Sequence, residues 1–104
     1  MSKANKPKRA PLPRESNYTK AFLKDWQSLT HSGRYDMTRL KQAMLLLIAN
    51  DAPLGPEWLD HPLKGEWADH RECHIGGDFL LIYQATDRLV SFVRTGSHAE
   101  LFRV

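Results

Sequence analysis

The chain has 104 residues, enough for one domain with one modest core. No apolar run is long enough to span a bilayer, the basic N-terminus leads into prolines, and Cys73 is the only cysteine. Those features exclude a membrane anchor, a signal segment and an internal disulfide, and they fit a cytoplasmic, reducing setting.

The net charge of +3 is unevenly held. Residues 1–20 carry Lys3, Lys6, Lys8, Arg9, Arg14 and Lys20 against Glu15, which leaves nine of the fifteen basic and eleven of the twelve acidic residues for the rest. Residues 1–8 therefore read as a basic, solvated tail, able to add nonspecific affinity for RNA, and residues 9–104 as a single domain.

Pro7, Pro11 and Pro13 exclude a helix at the start and leave room for a short edge strand around residues 9–14. Ser16 or Asn17 can cap a first helix running to about residue 30. Phe22, Leu23, Trp26 and Leu29 form its apolar stripe, and His-Ser-Gly at 31–33 ends it. Asp36 caps a second helix, in which Met37, Leu40, Met44, Leu47 and Ile48 recur at helical spacing until Asn50, Asp51 and Pro53 stop it. An irregular connection follows, APLGPEWLDHPLKG, of the kind that carries functional groups over a scaffold, with Trp58 and Trp67 anchoring it.

Beyond Gly65 the pattern turns to strands: residues 67–75, then Gly76-Gly77 as a hairpin turn, FLLIYQ at 79–84, a Thr86-Asp87 turn, and RLVSFVRT at 88–95. The segment GSHAELFRV closes the chain as one helical turn or an extended tail. The expected fold is α+β, two N-terminal helices packed on one face of a small antiparallel sheet.

Two-residue hairpin loops would pair Ile75 with Asp78 and Ala85 with Arg88. Alternation then gives the helices a face of Cys73, Ile75, Leu80, Ile82, Leu89 and Val93. The opposite face receives His70, Glu72, His74, Phe79, Leu81, Tyr83, Val90, Phe92 and Arg94, where aromatics could serve packing or base stacking. A slip of one residue would exchange the faces. Arg71 falls on the core side, where it needs a carboxylate partner or an exit past the sheet edge.

His61, His74 and His98 lie on loops and strand ends among Asp60, Glu72, Asp78, Arg71 and Arg94. Histidine exchanges protons near neutral pH, and arginine binds phosphate through its planar fork of donors. Cleaving RNA without a metal needs a base for the 2′-hydroxyl, an acid for the departing 5′-oxygen and a cation for the phosphate. A zinc site from His61, His74, His98 and Cys73 lacks the close ligand spacing of a strong metal motif. His31 and His70 read as structural, although parity places His70 on the polar face.

The stretch 60–102 resembles the YafQ branch of the RelE-like bacterial toxins, most specifically in DHPL followed by G-x-W, in H-x-x-x-D-F-L-L-I-Y and in RTGSHAELF. The resemblance implies an endoribonuclease that cuts messenger RNA in the ribosomal A site, with no metal or other cofactor. It also implies the toxin of a type II toxin–antitoxin system, held in a hetero-oligomer by a cognate antitoxin, DinJ-like or other.

The family's catalytic positions match His61, His74, Asp78 and His98. Its substrate-contacting positions match Arg94, Phe102 and, with aspartate replaced by glutamate, Glu72. His98 is the expected general acid, and His61, His74 or Asp78 would supply the base. Two other readings remain: a non-enzymatic binder of the same superfamily that inhibits a protein target, and a weakened toxin kept for its antitoxin complex.

Overall fold

A computed structural model describes residues 12–102. Residues 1–8, read above as a tail, lie outside them, as does the first part of the proposed edge strand. The described chain runs β1 (Glu15–Tyr18), α1 (Lys20–Ser32), α2 (Met37–Ala49), β2 (His61–Pro62), β3 (Arg71–Gly76), β4 (Phe79–Ala85), β5 (Leu89–Ser97) and α3 (His98–Phe102). Two single 3₁₀ turns, Pro56–Trp58 and Gly65–Trp67, punctuate the connection on either side of β2.

The five strands form one sheet in the order β1-β5-β4-β3-β2. Every pairing is antiparallel except β1 with β5. The α+β architecture is as expected, with a parallel edge strand added.

The first helix starts later than the sequence suggests. Ser16 and Asn17 are extended, paired with Val90 and Ser91. Thr19 is the actual cap, its hydroxyl accepting from the Phe22 N–H at 2.9 Å and donating to the Val93 carbonyl at 2.7 Å. Local capping preference names several candidates here, and the open edge of β5 decides among them by recruiting residues 15–18 as a strand. The second helix begins at Asp36 as expected, with Asp36 Oδ1 accepting from the Arg39 N–H, and ends at Asn50 in the left-handed conformation.

Both helices pack on one sheet face. Phe22, Leu29, Leu40, Ala43 and Leu47 meet Cys73, Ile75, Phe79, Leu81, Tyr83, Val90 and Phe92, with Trp58 closing the cluster. This set corrects the expected faces. Cys73 pairs with Leu81 and His74 with Leu80, so Ile75 bulges where a two-residue loop would have paired it with Asp78. Ala85 likewise pairs with Val90 rather than Arg88, because the Thr86 side chain accepts from the Arg88 and Leu89 N–H groups and rounds a wider turn.

The parity of β4 and β5 is therefore exchanged relative to β3. Phe79, Tyr83 and Phe92 are buried core residues, 2–5% exposed, and base stacking is not open to them. The far face instead holds a smaller cluster of Leu80, Ile82 and Leu101, flanked by Leu63, Trp67, Val93 and Phe102.

Candidate active site

The far face of the sheet carries the titratable groups. His61 opposes Glu72 across β2 and β3, and His74 lies two residues further along β3 on the same face. The Glu72 carboxylate is 5% exposed and reaches both imidazoles through one oxygen. His61 Nε2 lies 3.0 Å and His74 Nε2 3.2 Å from Oε2, with ring centroids 6.0 Å apart.

Burial of a carboxylate is costly unless polar partners satisfy it, and here His61 Nε2 stands within hydrogen-bond distance with His74 Nε2 beside the same oxygen. The His61 Nδ1 stands 3.1 Å from the Pro62 carbonyl.

The nitrogen and oxygen atoms of His61, Glu72 and His74 lie within 4.8 Å of one another, near enough to share one ion. Two imidazoles and a carboxylate are a donor set that zinc or copper accepts. Cys73 and His98, considered in the sequence as companions, do not join them. Cys73 points into the helix-packed core, where burial, with the charges of Asp60 and Glu72 adding to it, pushes its thiol up to about 12.

A second group forms where β5 runs into α3. The His98 N–H is 3.1 Å from the Asp78 carbonyl and 3.2 Å from Asp78 Oδ1, which ties the helix start to the hairpin turn. The His98 imidazole lies against Phe102 at 4.8 Å between centroids, and Phe102 meets Trp67 edge-on at 6.1 Å.

Ser97 and Glu100 make a reciprocal cap. Ser97 Oγ accepts from the Glu100 N–H at 3.1 Å, and Glu100 Oε1 accepts from the Ser97 N–H at 3.0 Å. That motif was readable in Ser-His-Ala-Glu and was missed. It presents the exposed His98 on the first residue of α3.

Arg94 stays on the far face because the bulge at Val93 sets it opposite Ile82. Its expected face survives only because the exchanged parity and the bulge cancel. Arg94 Nε and Nη2 donate to Asp25 of α1 at 2.6 and 3.0 Å, and the hydrogen bonds to Asp25 raise its pKa further above the ordinary guanidinium value. Asp25 was not foreseen, since a lone acid in a helix does not announce a partner on a strand 69 residues away. A cleft of about 460 Å³ is lined by Arg94, Glu66, Trp67, Leu101 and Phe102. Trp67, expected only to anchor the loop, therefore also forms part of this surface. His70 packs edge-on against Trp67 at 5.2 Å, a structural contact.

The structure thus assembles the predicted residues into two neighbouring groups, His61–Glu72–His74 and Asp78–His98–Phe102, with Arg94 beside the second. Among the described residues the groups are joined by packing around Leu80, Ile82 and Leu101 rather than by a hydrogen bond.

A small helix-backed sheet whose open face gathers histidines, a buried carboxylate and an arginine defines a RelE-like toxin. Residues 14–103 match the family of bacterial toxins of type II toxin–antitoxin systems, YafQ, and the chain belongs to it. The chain is 43% identical over 91 residues to the mRNA interferase toxin YafQ of Escherichia coli K12, covering 88% of this chain and 98% of that protein. It superimposes on YafQ from E. coli BL21(DE3) with a TM-score of 0.79, 43% identity and 86% and 98% coverage.

The toxin in the E. coli DinJ-YafQ toxin-antitoxin complex gives a TM-score of 0.78, with 43% identity and 88% and 99% coverage. A metal-bound toxin from Helicobacter pylori gives 0.75 with 40% identity, covering 86% of this chain and 99% of that one.

Proposed function

We propose that this toxin is an mRNA interferase that cuts messenger RNA on the translating ribosome, in the cytoplasm, by acid–base chemistry, and that a cognate antitoxin neutralises it in a hetero-oligomer. The observation that carries the reading is the single buried oxygen of Glu72 shared by His61 and His74 on an open sheet face. A binder of a protein target gains nothing from a buried carboxylate poised between two proton-exchanging rings.

In this reading Glu72 orients and electrostatically supports the two imidazoles, and one base among His61, His74 and Asp78 takes the proton of the 2′-hydroxyl. His98, exposed at the head of α3, protonates the departing 5′-oxygen. Arg94, its fork held by Asp25, presents positive charge to the phosphate, and Phe102 with Trp67 offers aromatic surface to the substrate. Each well-placed proton-transfer group contributes about 10²–10⁴-fold in rate. Because these groups supply the acid and the base, toxin treated with EDTA and then freed of the chelator is expected to cleave at the untreated rate on ribosomes kept in Mg2+.

The decisive measurement is mapping of messenger RNA ends on translating ribosomes after induction of the wild type and of His98→Ala. New ends within coding sequence with the wild type, and their loss with the variant while the antitoxin still binds it, are the expected result. Growth arrest without new ends would sink the nuclease reading and favour a protein target.

A further inference from the structure

The strand that carries His61 is two residues long and lies at the sheet edge, so its own ladder can barely specify its register. Something else must point His61 at Glu72.

Three side chains on the helix-facing side of the sheet gather directly beneath it. Tyr83 Oη donates to Asp60 Oδ1 at 2.5 Å. Arg71 Nε lies 3.2 Å and Nη2 3.1 Å from Asp60 Oδ2, two charge-assisted contacts on one carboxylate oxygen. Arg71 and Tyr83 are themselves direct cross-strand partners, and Arg71 pairs with Pro62. The Tyr83 ring is 2% exposed, so the platform is anchored in the core. The chain enters Asp60 through Leu59, a non-glycine residue in the left-handed region at φ 49°, a conformation held only where neighbours over-determine it.

We propose that Asp60, clamped by Tyr83 and Arg71, is the positioning device for His61: with Asp60 drawn to the core side, alternation obliges the next side chain to face Glu72. None of the three need touch substrate. Asp60 and Arg71 act through the backbone of β2, and Tyr83 acts through Asp60. If the clamp opens, β2 can slip or rotate and the imidazole leaves the Glu72 oxygen. This inference rests on the role proposed for His61 in cleavage.

The experiment is a double-mutant cycle in ribosome-dependent cleavage, using Tyr83→Phe and Asp60→Asn, each alone and combined with His61→Ala. Tyr83→Phe preserves the buried ring and removes only the clamping hydroxyl, and Asp60→Asn preserves shape while removing the charge. Each is expected to lower kcat by roughly ten- to a hundredfold, the scale of a catalytic group displaced by about 1 Å, with KM within about twofold. In the His61→Ala background neither should lower the rate further. Equal fold-losses in both backgrounds, or no loss at all, would overturn the positioning role. If His61→Ala alone cleaves at the wild-type rate, the role of His61 itself fails. Should Tyr83→Phe not fold, Asp60→Asn carries the same comparison.

Discussion

At the scale of single residues, the buried carboxylate of Glu72 organises the candidate site, because its charge and its geometry both bear on two histidines. Glu72→Gln keeps an oxygen acceptor of the same shape and removes the charge. Cleavage should fall by about a hundredfold or more, while thermal stability changes by only a few degrees. A thermal melt run beside a cleavage time course separates the two effects, and a wild-type rate would show that the charge is dispensable.

Cys73 makes a separate statement about pH. Its thiol is raised in the folded protein from an ordinary 9.0 to about 12, chiefly by burial. Its neutral form is therefore favoured by folding. The associated stability is complete below about pH 9 and is lost as pH rises toward about 12, because the unfolded chain ionises first. Urea unfolding between pH 8 and 10.5 should show a smaller loss for Cys73→Ala than for the wild type, and iodoacetamide should label Cys73 at neutral pH only after unfolding.

At the scale of elements, the helices and strand cores were legible because their periodicities differ and their breakers are local. Asp36 and Asn50 frame α2 as their chemistry requires. The pairing of strands was not legible, because a bulge at Ile75 and a side-chain-rounded turn at Thr86 each shift register without altering the apolar pattern. FLLIYQ is apolar on both faces, so its sequence contains no alternation to reveal the slip. The expected face of Glu72 and His74 held because they share a strand with the correctly placed Cys73 and Ile75, whereas Phe79, Tyr83 and Phe92 turned into the core.

The junction of β5 with α3 shows how an element boundary places chemistry. Gly96 has φ of +155°, and a Cβ there would meet Glu100 Oε1 at 3.1 Å, the oxygen that caps Ser97. Gly96→Ala should cost about 1–3 kcal/mol by strained backbone and a disturbed cap. Cleavage should fall more than stability alone explains, since His98 begins the helix that this cap holds. Comparing residual activity well below the melting temperature with the unfolding midpoint checks it.

At the scale of the whole molecule, charge and catalysis are separated along the chain. Lys3, Lys6 and Lys8 lie in residues 1–8 with no acidic residue among them, and they equal the entire net charge of +3. The remaining chain is formally neutral and must approach a polyanion without long-range attraction of its own. Each phosphate neutralised on single-stranded RNA contributes about 0.7 to the slope of log affinity against log salt, so three lysines correspond to about 2. Deleting residues 1–8 should therefore reduce that slope by about 2 and weaken binding most at low salt. The rate of cleavage at saturation should stay the same, because His61, Glu72 and His74 are held by β2 and β3 and by the Asp60 clamp beneath them. Binding titrations of both forms on an unstructured RNA across a salt series decide the matter: an unchanged slope would mean that the tail lysines do not meet RNA, and a lower saturated rate would mean that the tail takes part in more than capture.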